Sequence, residues 1–273
     1  MTCSLYQGQA GADHAACGDA SASTRLNLWL GARGQPCALF LDVDGTLLDF
    51  AESPTAVQVP GELRSALDCL HRLLGGALAL VSGRSVTVLD QLFAPLRLPA
   101  CGGHGAHWRV HADEPLHYAA NARLAGSVRQ RLQALAERHA GVLVEDKGSS
   151  LALHYRTAPT AGPLLAAALH ALLAGPAGTG LRLLPGKMVL EVIGHEGDKA
   201  QAIQRFLRLR PFAGRRPLFI GDDVTDQPAL ALMPALGGLA LSVGCLLPGA
   251  QAAFADPAEV RAALIGAAAR LGQ

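Results

Sequence analysis

Two aspartates one residue apart, Asp42 and Asp44, close an apolar run in the stretch CALFLDVDGTLLDF at residues 37–50, with Gly45 and Thr46 directly behind them. A carboxylate beside a buried strand is costly unless something partners it. A cation or a polar ligand must therefore sit against this pair. Two further polar clusters also follow apolar runs: Ser82-Gly83-Arg84 after residues 77–81, and Gly221-Asp222-Asp223-Val224-Thr225-Asp226 after residues 217–220. Carboxylates gathered at such ends suit a hard divalent cation, most naturally Mg²⁺, which takes few carboxylates, several waters and a phosphate. Taken singly, each cluster also reads as a turn with capping side chains, with Asp223 or Thr225 simply opening a helix. All three in this order favour the chemical reading.

These clusters need elements that bring them together. Ala38 to Val43 has the composition of a central parallel strand, and Leu63, Leu67, Leu70 and Leu74 recur at helical spacing. Ala77 to Val81 is a second strand-like run. Near the C-terminus the alternation returns: a helix around Ile203, Phe206 and Leu207, a strand 217–220, a short helix after Thr225, a strand 239–243 and a helix from Ala258. This order predicts an α/β fold with a doubly wound, Rossmann-like parallel sheet, whose ligands lie at the carboxyl ends of the strands. Residues 106–190 break the rhythm. A hairpin (108–110 with 116–118), a helix carrying Leu124, Val128, Leu132 and Leu135, strands 142–144 and 151–154, a helix 164–173 and strands 181–184 and 188–192 predict a smaller α/β domain inserted there. The expected division is a loose leader 1–36, a core of 37–105 with 191–273, and the insert 106–190.

Composition narrows the function classes. The chain has 273 residues, is 50% hydrophobic and carries a formal net charge of +1, which predicts a compact protein with no groove for nucleic acid. Six cysteines at 3, 17, 37, 69, 101 and 245 form no metal-finger spacing and read as thiols of a reducing compartment. No secretory signal and no membrane-spanning run is recognisable, so a cytoplasmic location is expected. A calcium loop starting at Asp42 is excluded by Leu47 and Ser53, a Gly-Lys phosphate loop is absent, and Gly102, Gly103 and Gly105 lead to Trp108 rather than to a dinucleotide fingerprint.

DVDGT, Ser82 after its strand, Lys199 and GDDVTD resemble, in that order, the four motifs of the haloacid dehalogenase-type phosphatases. LVSGRS (80–85), HGA (104–106), EDKG (145–148), LALHYR (151–156) and GKMVLEV (186–192) are similar to trehalose-6-phosphate phosphatases in particular, with the resemblance covering roughly 38–265. It implies a core of that type with a cap domain that selects substrate. Asp42 would be the nucleophile, forming an aspartyl-phosphate, and Asp44 the general acid and base. Mg²⁺ would be held by Asp42, Asp222 and the main-chain carbonyl of Asp44, with Asp223 and Asp226 supporting it. Thr46, Ser82, Gly83 and Lys199 would bind the phosphate. In the cap, Glu145, Lys147, Lys187 and Glu191 would bind the sugar, with His154 and Arg156 as further candidates. A sugar phosphate is the implied partner molecule, and a trehalose-6-phosphate synthase the pathway neighbour.

Lysine usage points the same way. The chain has 20 arginines but only Lys147, Lys187 and Lys199, and all three fall in these stretches, where a compact ammonium and a planar guanidinium are not interchangeable. The chain departs from the family pattern at Gly194, Glu196 and Ala200, where Pro, Gly and Gly are usual, and at His107 and Gln227, where Glu is frequent. None of these removes a chemical group from the scheme. A sister activity on sucrose or mannosyl phosphate, or an inactive sugar-phosphate-binding protein, fits the same core motifs.

Overall fold

The computed structural model describes residues 20–32, 34–49, 57–119, 124–186, 188–194 and 198–273. In chain order the first elements are α1 (Ala22–Leu30), β1 (Cys37–Leu41), α2 (Gly61–Leu73), β2 (Leu78–Val81), α3 (Val86–Phe93), β3 (Ala100–Gly102), β4 (His107–Arg109) and β5 (His117–Tyr118). Then come α4 (Gly126–Glu137), β6 (Leu143–Asp146), β7 (Ser150–His154), α5 (Ala161–Ala174), β8 (Arg182–Gly186), β9 (Val189–Ile193) and α6 (Lys199–Phe206). β10 (Arg216–Gly221), α7 (Gln227–Ala235), β11 (Leu239–Val243), β12 (Ala252–Phe254) and α8 (Pro257–Leu271) complete the order. The chain divides into two compact units, Met1–Leu78 with Phe212–Gln273, and Ala79–Pro211.

In the first unit the strands run β12-β11-β10-β1, each pair parallel. β1 and β11 are buried along their whole length, as expected of strands covered on both faces. α7 packs on β10 and β11, and α2 packs on α8. The parallel register aligns Leu41 with Ile220, so the acidic clusters at 42 and 222 leave the sheet side by side although 180 residues separate them in sequence.

The leader expectation is corrected for residues 22–30, which are helical. The Ser21 hydroxyl caps α1 by accepting the Thr24 N–H, and Ala22, Leu26 and Leu30 form its buried stripe against α8. Residues 1–19 lie outside the described residues.

The second unit holds two sheets. In one, β2 and β3 are parallel, and β4 and β5 continue it antiparallel. The expected hairpin therefore exists but pairs with β3 and not with the inserted sheet. The tie is Arg109, 1% exposed, whose guanidinium bonds to Asp90 of α3 and to the Leu98 carbonyl. The other sheet runs β6-β7-β9-β8, antiparallel throughout. Period-two alternation divides its faces. Leu151, Leu153, Leu190 and Val192 pack with Leu132 of α4 and Leu165 and Leu169 of α5, whereas Glu145, Ser150, Ala152, His154 and Glu191 take the opposite parity. α5 starts at Ala161, three residues before the expected 164.

Burial pushes the Cys37 thiol up to about 11 and that of Cys101 to about 12, so neither is a thiolate at neutral pH. Among the described residues no helix is long and apolar enough to cross a membrane.

Candidate active site

Asp42 is the first residue beyond β1. Its N–H donates to the Ile220 carbonyl at 3.0 Å, which extends the strand pairing by one step, and its side chain is buried, 4% exposed. The chain then turns sharply. Leu47 and Leu48 N–H both donate to the Val43 carbonyl at 2.9 Å, and Gly45 N–H donates to Leu48 O at 2.7 Å. Gly45 has φ 84°, a conformation glycine adopts without the Cβ penalty. The turn folds Thr46 back between the two clusters. Its hydroxyl lies 3.1 Å from Asp42 Oδ2 and 3.0 Å from Asp222 Oδ1, and with a single hydrogen it serves only one of them at a time.

Asp226 braces the second cluster. Its Oδ2 accepts the N–H groups of Asp222 at 3.1 Å and Asp223 at 3.0 Å, while Gly221 leaves it room, since a Cβ there would lie 2.5 Å from the Asp226 carboxyl carbon. Asp42, Asp222 and Asp226 each offer a carboxylate oxygen within 4.8 Å of the others. Three carboxylates so close repel in the absence of positive charge, and a hard cation suits their oxygen donors. Asp223 is exposed and accepts the Val224 N–H at 2.6 Å, capping the short 3₁₀ turn 224–226. The capping alternative thus holds for Asp223, while Asp226 joins the carboxylate group. Asp44 is half-buried at the start of the turn.

Ser82, Gly83 and Lys199 belong to the second unit. Ser82 follows β2 and is 1% exposed, and its Oγ accepts the Arg84 N–H at 3.1 Å. Lys199, 3% exposed, is the first residue of α6, a helix capped by Asp198 through the Gln201 N–H. His107 is buried and accepts the Val86 N–H at 3.1 Å.

The polar face of the four-stranded sheet carries Glu145, His154 and Glu191 of the expected sugar-binding residues, with Lys147 beside Glu191. Glu145 pairs across β7 with Ala152, and Ala152 with Glu191, so the two glutamates share one row. Lys147 Nζ lies 3.0 Å from Glu191 Oε2, His104 Nε2 lies 3.6 Å from the same oxygen, and the Ser150 hydroxyl donates to Oε1. Burial opposes the charge on Glu191, but the His104 and Lys147 contacts outweigh it and hold this carboxyl well below the usual range. Glu145 is also lowered, chiefly by its hydrogen bond with His154 at 2.9 Å. Arg156 does not lie on the strand but in the exposed turn after β7. Lys187 and Glu196 lie outside the described residues. Sequence reasoning passed over His104 and Ser150 as site residues, although Ser150 shares strand parity with Ala152 and His154.

The trehalose-phosphatase family pattern matches residues 40–245. The chain is 43% identical over 250 residues to the Sinorhizobium fredii "Probable trehalose-phosphate phosphatase", with 91% of each chain covered. It is 36% identical over 209 residues to the Escherichia coli trehalose-6-phosphate phosphatase, covering 76% of this chain and 77% of that one. The fold is similar to that of the C-terminal domain of C. albicans trehalose-6-phosphate phosphatase, with a TM-score of 0.76, 21% identity and coverage of 92% and 97%. The carboxylate cluster beyond β1 and β10 lies inside the matched span, and on that match the chain belongs to the trehalose-phosphatase family, a family of phosphate-ester hydrolases.

Proposed function

We propose that this protein hydrolyses trehalose 6-phosphate to trehalose and phosphate in a Mg²⁺-dependent reaction that passes through an aspartyl-phosphate on Asp42. The observation that carries the reading is the grouping of Asp42, Asp222 and Asp226 around the Thr46 hydroxyl in a chain of this family. Asp42, Asp222 and the Asp44 carbonyl would hold the Mg²⁺, which would supply the positive charge that offsets repulsion between carboxylate and phosphate.

An Asp42 oxygen attacks phosphorus while the bond from phosphorus to the sugar oxygen breaks, and Asp44 gives its proton to that departing oxygen. Water then attacks the acyl phosphate and passes a proton to Asp44, and the bond from phosphorus to Asp42 breaks, releasing phosphate and restoring both carboxyl groups. Thr46 and Asp226 hold the reacting groups in place. Ser82, Gly83 and Lys199 are assigned to the phosphoryl oxygens, where fixed donors stabilise developing charge. The insert 106–190 is the proposed cap, and Glu145 and Lys147 within it, with Glu191 directly after it on β9, are the proposed sugar-reading groups, with His154 and Arg156 secondary to them.

Purified protein is expected to release phosphate from trehalose 6-phosphate with Mg²⁺ and to stop when chelator is added. An Asp42→Asn variant that stays fully active would overturn the mechanism. Across a panel of sugar phosphates, kcat/KM for trehalose 6-phosphate is expected to lead by at least about 10²-fold, as for a site built around many hydroxyls. A higher value on sucrose 6-phosphate would reassign the substrate.

A further inference from the structure

His104 sits at the centre of the 103–105 turn with φ 54°, a left-handed conformation uncommon outside glycine. Strain of this kind persists only where the surroundings impose it. Here the His104 N–H donates to the Ser82 carbonyl at 3.2 Å and the Gly103 N–H to the Arg84 carbonyl at 3.0 Å. A Cβ on Gly83 would lie 2.6 Å from His104 Nε2, and one on Gly103 would strike the buried Ser149 hydroxyl. Gly83 thus leaves the space that the imidazole occupies, and Gly103 the space that the Ser149 hydroxyl occupies beside the turn. The ring reaches past Gly83 to Glu191, with Nε2 3.6 Å from the Oε2 that Lys147 also approaches. A short path thus runs from the Ser82 backbone, through one imidazole, to the Glu191 carboxylate.

We propose that His104 is a positioning residue that fixes the Glu191–Lys147 pair relative to the Ser82–Gly83 loop. The inference rests on the proposed reading of that pair as sugar-binding and of that loop as phosphate-binding. A sugar phosphate presents its phosphate and its hydroxyls at set separations, and a misplacement of about 1 Å between groups that grip the two ends costs on the order of 10²-fold in rate. β9 carries Glu191 and the loop after β2 carries Ser82, and these strands belong to different sheets. A side chain bonded at one end by its backbone and paired at the other by its ring holds that spacing. Among the described residues, Lys147 and Ser150 hydrogen-bond to Glu191 and His104 approaches its Oε2 at 3.6 Å.

The test is a mutant cycle on the full chain with Mg²⁺ and trehalose 6-phosphate, joined to a spectrum of the free enzyme. His104→Ala is expected to lower kcat/KM by about 10- to 10²-fold, and His104→Gln, which retains a donor, to recover most of the loss. In a Glu191→Gln background, His104→Ala should add less than about twofold, because its effect passes through Glu191. With ¹⁵N-labelled histidine, the His104 Nε2 resonance should move on Glu191→Gln and stay in place on Glu145→Gln. An undiminished loss in the Glu191→Gln background, or an unmoved resonance, overturns the proposal. The resonance is read without substrate. A protein inactive on trehalose 6-phosphate whose resonance still moves would therefore remove the substrate assignment and leave the His104–Glu191 contact standing.

Discussion

The Lys147 ammonium lies 3.0 Å from Glu191 Oε2, with side-chain exposures of 15% and 8%. A pair this enclosed is held in place by its neighbours and aims fixed charge at whatever enters, and charged donors and acceptors are the strongest readers of hydroxyls. Lys147→Ala is expected to lower kcat/KM for trehalose 6-phosphate by roughly 10- to 10³-fold, about 1.4 to 4 kcal/mol. A small aryl phosphate lacks the sugar, so its kcat/KM should fall by less than about threefold. Parallel kinetics on the two substrates check this, and equal losses would assign Lys147 to folding or to the phosphate chemistry.

The carboxylates of Asp42, Asp222 and Asp226 lie within 4.8 Å of one another, so the metal-free protein carries their mutual repulsion. Asp222→Asn removes one charge and keeps an oxygen for the Thr46 hydroxyl. The variant should melt about 2–4 °C higher than wild type in chelator, the shift of roughly 1 kcal/mol in a chain of this size. Adding Mg²⁺ should raise the melting temperature of wild type by preferential binding to the folded state, and that of the variant much less. Thermal melts with and without Mg²⁺ decide it. Equal Mg²⁺ responses would place the ion elsewhere.

Thr46 lies between Asp42 and Asp222 and is fully buried. Thr46→Val preserves the shape but removes the hydroxyl, leaving buried carboxylate oxygens one donor short, at about 1–3 kcal/mol. Activity should fall about 10- to 10²-fold, whereas Thr46→Ser should retain most of it. Kinetics of the two variants under saturating Mg²⁺ separate the hydroxyl from the methyl group. If Ser fails as badly as Val, packing and not hydrogen bonding is what Thr46 supplies.

The strand ends that carry Asp42, Ser82 and Asp222 were legible in the sequence because an apolar run followed by polar residues has few other readings. The helical face of α4 was equally plain from the spacing of Leu124, Val128, Leu132 and Leu135. What escaped depends on contacts distant in sequence. α1 looks like part of an Ala- and Ser-rich leader until Leu26 is seen buried. The β4–β5 hairpin carries no local sign of which sheet it joins, since the tie from Arg109 to Asp90 spans 19 residues. His104 stands in the HGA stretch 104–106, but its link to Glu191 depends on a left-handed backbone and on Gly83 lacking a Cβ.

Glu191 couples this network to pH. Its carboxyl is held well below the ordinary range by His104, Lys147 and Ser150 in spite of burial. In the unfolded chain it titrates near the usual value of about 4.3. As pH falls through that value the unfolded state takes up a proton while the folded state does not, so acidification favours unfolding. The contribution of this residue is fully present above about pH 5 and is lost progressively below it. Glu191→Gln cannot take part in that titration. In urea unfolding followed from pH 6.5 to 3, wild type should therefore lose stability more steeply below pH 5 than the variant, and the gap between them should narrow with acid. Curves that stay parallel down to pH 3 would show that Glu191 titrates alike in both states and that its contacts with Lys147, His104 and Ser150 do not hold its charge.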